Sequence, residues 1–116
     1  LGRVLLALLA IPSPTGFTEA AVVFLEGELA ALGLQSRRTP KGALLWTLPG
    51  AAAARSVASH IDTLGALVKE VKDNGRLKLT AVGGYDWGTV EGAECRVHGF
   101  SGESWSGTLV NTRQSS

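Results

Sequence analysis

The apolar positions of this chain change their period near residue 34, and the change sorts the elements that they predict. Val4, Leu5, Leu8 and Leu9 fall on one face of a short helix over residues 2–10. The run Ile11-Pro12-Ser13-Pro14-Thr15-Gly16 stops that helix, since two prolines and a glycine do not continue it. Thr18 is placed to cap a second helix with Glu19 in its first turn, and Val22, Leu25, Leu29 and Leu32 recur at helical spacing as far as Gly33. Gly27, inside that helix, is either a weak point or a place of close packing. From Leu34 the pattern is strand-like: residues 34–39 and 43–48 flank Pro40-Lys41-Gly42, which predicts a hairpin. Pro49-Gly50 and an alanine run then lead to Ser56-Val57-Ala58-Ser59-His60, a strand of small residues suited to burial beside others.

After Gly65 only strands are predicted, over residues 66–71, 76–82, 94–100 and 105–111. Asp73-Asn74-Gly75 and Ser101-Gly102-Glu103 supply turn residues, and Leu77, Leu79, Ala81 and then Cys95, Val97, Gly99 alternate as a half-buried antiparallel sheet or small barrel requires. The glycine cluster Gly83-Gly84-Tyr85-Asp86-Trp87-Gly88 lacks the Gly-Lys-Ser/Thr ending of a phosphate loop and reads as a turn between strands. The fold class is therefore α/β, with an α/β portion over residues 1–65 and a β-rich portion over 66–116. The expected boundary lies near residues 64–70, without a flexible linker.

At 116 residues the chain has the size of one common domain. Its 11 Lys and Arg nearly balance its 10 Asp and Glu, and no basic stripe interleaves with aromatics, so nucleic acid is not an expected partner. Leu1 to Ile11 is apolar but too short to span a bilayer, so no membrane partner is expected either. The lone Cys95 excludes an internal disulfide and a thiolate cluster, which points to a reducing compartment.

Candidate chemistry concentrates in Ser59-His60-Ile61-Asp62-Thr63-Leu64-Gly65. On a strand ending here, His60 and Asp62 point to the same face, so an imidazole and a carboxylate emerge together at its tip. An imidazole held in one tautomer by a carboxylate is a common arrangement around a divalent ion. A His-x-Asp pair taken alone is also an ordinary hydrogen-bonded structural feature. His98 has no carboxylate at ligand spacing and reads as structural. Cys95 lacks an activating neighbourhood and Ser59 lacks a Gly-x-Ser-x-Gly elbow, so nucleophilic catalysis has little support.

Taken in order, several segments together resemble the tetrahedral, or glutamyl-type, aminopeptidases, dinuclear metallopeptidases also labelled endoglucanase-like. The resemblance is to the amino-terminal third of such a protein. Leu5 to Ile11, Pro12 to Gly16 and Glu19 to Leu32 are similar to its opening helix, loop and Glu-containing helix. Thr39-Pro40-Lys41-Gly42-Ala43 matches its Asp-x-x-Gly-Asn hairpin imperfectly, while His60, Asp62 and Gly65 match its His-x-Asp-x-x-Gly motif. Leu67 to Leu77 and Val82-Gly83-Gly84-Tyr85 are similar to the start of its inserted, antiparallel barrel-like β-domain.

The resemblance implies that residues 1–65 are part of a catalytic domain and 66–116 part of the inserted domain. It makes His60 a ligand of one of two divalent metal ions, zinc or cobalt, and Asp62 the catalytic-site carboxylate that orients the metal chemistry without ligating. It further implies a cytoplasmic enzyme that removes amino-terminal residues from short peptides and assembles as a homo-oligomer, a dodecamer. The other ligands and the general base of the family lie downstream of the matched third, so the chain by itself is expected to be inactive. Two rival readings accompany this one. The first is a β-rich module presenting Tyr85, Trp87 and Trp105 to a peptide or carbohydrate; the second, a glycosidase, finds no pair of carboxylates to assign.

Overall fold

The computed structural model describes residues 2–50 and 55–111. The alanine run before Arg55 lies outside them. Two compact units, divided between Gly83 and Gly84, are described in turn.

The first unit opens with helix α1, Gly2–Leu9, and helix α2, Glu19–Ala31. Val4, Ala7 and Leu8 are half-buried in α1 while Leu5 and Leu9 face solvent, so the covered face is turned from the expected one. Thr18 occupies the capping position of α2, yet its hydroxyl makes no capping hydrogen bond. The other end of α2 is closed more firmly. Gly33 adopts φ +73°, and the N–H groups of Gly33 and Leu34 donate to the carbonyls of Ala30 and Leu29, the paired bonds of a Schellman motif. Nothing lies within 4 Å of where a Cβ on Gly27 would sit, so that glycine loosens the helix and admits no close neighbour.

Ala21, Val22 and Leu29, all on α2, are the buried hydrophobic residues among those described, and they form the core of this unit. Arg3 of α1 donates to Glu28 of α2 across 2.6 Å. Strands β1, Ser36–Arg38, and β2, Leu44–Trp46, form the predicted antiparallel hairpin, turned at Gly42 with φ +85°. Strands β3, Gly65–Val71, and β4, Leu77–Val82, form a longer hairpin with a bulge between Val68 and Glu70. At its tip Gly75 takes φ +78°, and Asn74 Oδ1 accepts the Arg76 N–H, as the Asp-Asn-Gly sequence leads one to expect.

In the second unit, strands β5, Glu94–His98, and β6, Ser104–Thr108, pair antiparallel across a turn at Gly102. Half-burial alternates along β5 at Cys95 and Val97, as predicted. A short 3₁₀ turn, Trp87–Val90, precedes this hairpin where no helix was expected; Asp86 caps it by accepting the Gly88 N–H at 2.7 Å. Tyr85 and Trp87 pack edge to face with centroids 5.3 Å apart, whereas Trp105 is half exposed.

One expectation about the sheets is met only in part and another fails. The strands among the described residues make three separate two-stranded sheets, with no closed barrel. Residues 56–60 are unpaired and exposed, with Val57 at 97% exposure, and do not form the buried strand. A strand requires a hydrogen-bonded neighbour, and none among the described residues runs beside this segment. No described helix is long and apolar enough to cross a membrane.

Candidate metal-binding end of the His60–Asp62 segment

The segment that ends in His60 and Asp62 is held from the far side of the sequence by the proline loop. Pro14 and Thr63 form an isolated parallel bridge, and the Thr63 N–H donates to the Ser13 carbonyl at 2.8 Å. The Ser13 hydroxyl donates to the Ile61 carbonyl at 3.0 Å; at 3% exposure it is the buried polar residue among those described. Because a proline fixes its own φ and restricts the residue before it, Pro12 and Pro14 leave this loop few alternative paths. Gly65 completes the crossing: a Cβ there would stand 2.7 Å from the Cβ of Pro14.

This scaffold brings the two predicted residues together. His60 Nδ1 lies 3.1 Å from Asp62 Oδ1 and 3.1 Å from the Asp62 carbonyl oxygen. Both oxygens only accept, so Nδ1 must carry the hydrogen and donate to them. In the neutral ring that tautomer leaves the lone pair on Nε2. With the side chain 84% exposed, Nε2 is the nitrogen available to an incoming ion.

Asp62 is occupied on both carboxylate oxygens. Oδ1 receives His60, and Oδ2 accepts the Thr15 hydroxyl at 2.6 Å. The Thr15 hydrogen bond, reinforced by those from His60 and from the backbone N–H of Asp62, holds the carboxyl below the usual aspartate range. Asp62 is thus an ionised group that supports the imidazole. Thr15 is the residue that reading the sequence missed; the prolines around it marked the loop as a helix stop, while its hydroxyl gave no sign of a partner 47 positions away.

The residues present fit one ligand with its supporting carboxylate. Among the described residues no three His, Cys, Asp or Glu side chains converge on a common point. A zinc site ordinarily takes about three or four protein ligands, so the set is incomplete. The shallow depression lined by Glu70, Lys72, Asp73 and Asn74 belongs to the β3–β4 turn and includes neither His60 nor Asp62.

The sequence profile of the M42 glutamyl aminopeptidase family matches residues 42–114, a stretch that includes His60, Asp62 and Gly65. The chain is also 40% identical over 105 residues to a Bacillus subtilis (strain 168) protein named "putative aminopeptidase YhfE". That alignment covers 89% of this chain and 30% of the relative, so the chain spans less than a third of the length of the curated protein it matches.

Proposed function

The chain belongs to the M42 glutamyl aminopeptidase family, and from that premise we propose that it is the amino-terminal part of a metal-dependent aminopeptidase. The supporting observation is the His60–Asp62 pair, which lies inside the family-matched stretch with its ring fixed through Nδ1. His60 is the metal ligand through Nε2. Asp62 holds the Nδ1–H tautomer and fixes the plane of the ring, the usual task of a carboxylate behind a ligating histidine. When bound, a pair of divalent ions such as zinc or cobalt polarises the scissile carbonyl and acidifies water. The remaining ligands and the general base are supplied from outside these 116 residues, so this chain alone does not hydrolyse peptides.

By the same resemblance the whole protein removes amino-terminal residues from short peptides, in the cytoplasm, as a large homo-oligomer. Residues 66–116 begin its inserted β-domain. The test uses the full-length protein, loaded with zinc or cobalt and assayed on aminoacyl-p-nitroanilides. His60→Ala should lower both bound metal and turnover by at least ~100-fold, beyond the 10–100-fold typical of groups that only support a ligand. Undiminished activity and metal content in that variant would sink the assignment.

A further inference from the structure

We propose that Thr15 is a positioning residue for this site, setting the direction in which His60 presents its free nitrogen. The inference rests on the reading of His60 as a ligand. It is carried by the way the two oxygens of Asp62 are divided: Oδ2 accepts from Thr15 at 2.6 Å and Oδ1 from His60 at 3.1 Å. A carboxylate gripped at one oxygen cannot swing about its terminal torsion, a torsion that is otherwise broad. With Oδ2 pinned, Oδ1 stays in the plane where it meets the Nδ1–H. The imidazole then turns neither about its own axis nor out of register with the segment beneath it.

The grip transmits position because Thr15 is itself anchored. The Ser13 hydroxyl holds the Ile61 carbonyl, the Ser13 carbonyl holds the Thr63 N–H, and the prolines on either side of Ser13 stiffen the loop. These contacts, at Ile61 and Thr63, bracket Asp62 in sequence without touching the side chain of Asp62 or of His60. Thr15 alone among the loop residues reaches the carboxylate. Scaffold and orienter are thus separable: Ser13 fixes where the segment lies, and Thr15 fixes how its functional end is turned. The loop precedes the stretch that the family profile covers.

The test compares Thr15→Val, Thr15→Ser, Asp62→Ala and His60→Ala in the full-length protein, with cobalt(II) as the probe. Affinity is read by competition with a chelator, geometry by the visible absorption of the cobalt protein, and folding by thermal melting. Thr15→Val keeps the volume and removes the hydroxyl. It should weaken cobalt binding by about 10-fold, the low end for groups supporting a ligand, alter the absorption bands and lower kcat with KM little changed. Thr15→Ser should restore all three. Wild-type affinity and spectrum in Thr15→Val, alongside losses in Asp62→Ala and His60→Ala, would overturn the proposal while leaving His60 as the ligand. If His60→Ala also binds cobalt normally, the metal-site reading itself fails. A Thr15→Val protein that melts early and is not rescued by Thr15→Ser would assign the residue a purely structural role.

Discussion

Gly65 shows how closely single residues are specified around the site. Its missing side chain is required by Pro14, whose Cβ would lie 2.7 Å from a new Cβ. Both atoms belong to short, stiff groups, so neither can simply rotate away. Gly65→Ala should therefore force the proline loop off residues 61–63 and destabilise the protein by about 1–3 kcal/mol, the usual range for overpacking, read as a shift in urea midpoint. Gly27→Ala is the control. With open space around it on a helix, the same added methyl should stabilise by about 0.5–1 kcal/mol.

Among elements, the join between α2 and β1 depends on one cation. Arg38 donates through Nε and Nη2 to both oxygens of Glu26, at 2.6 and 2.7 Å, and through Nη1 to Glu19 at 2.8 Å. The hydrogen bonds from Arg38 hold the Glu26 carboxyl below the usual glutamate range. A carboxyl lowered in the folded state favours folding most above its unfolded pKa, about 4.3, and that contribution is lost as pH falls through the folded value. The melting temperature of Arg38→Met should accordingly lie further below wild type at pH 7 than at pH 3. An equal gap at both would show that the pair contributes only packing.

Legibility from sequence follows the range of the interactions. The Schellman end of α2, the Pro-Lys-Gly and Asp-Asn-Gly hairpins and the alternation of β5 depend on neighbours a few residues away, and each was readable. Residues 56–60 carry a strand's composition, but a strand exists only with a partner, which composition does not name. The His60–Asp62 pair was readable as a local motif, although the strand expected to align the two side chains does not form and they meet instead through the direct Nδ1–Oδ1 contact. Thr15 was not readable, because the chain must fold before the loop and the carboxylate meet.

On the scale of the molecule, apolar surface remains open. Ala21, Val22 and Leu29 are the buried apolar residues described, whereas Leu6, Leu9, Leu48, Val57, Leu64 and Val71 each expose more than half of their area. Where such groups adjoin, they offer surface that another part of a structure can cover. On the proposal that the chain is the amino-terminal part of a longer enzyme, the occupant is the rest of that protein. The 116-residue chain alone should bind a hydrophobic dye such as anilinonaphthalene sulfonate at neutral pH, and the full-length protein should bind less per subunit. Equal binding would argue against that covering.

The Thr15–Asp62 and Ser13–Ile61 bonds join positions 47 and 48 residues apart, while every paired strand here joins its nearest neighbour in sequence. Hairpins close in roughly 1–10 μs. Bringing the proline loop to residues 61–63 must first overcome the entropy of a far longer closure, which rises with the logarithm of loop length. The contact of the proline loop with residues 61–63 should consequently form after the hairpins in folding of the first unit, and later protection of the Thr63 N–H than of the β3–β4 amides in pulse-labelled hydrogen exchange would show it.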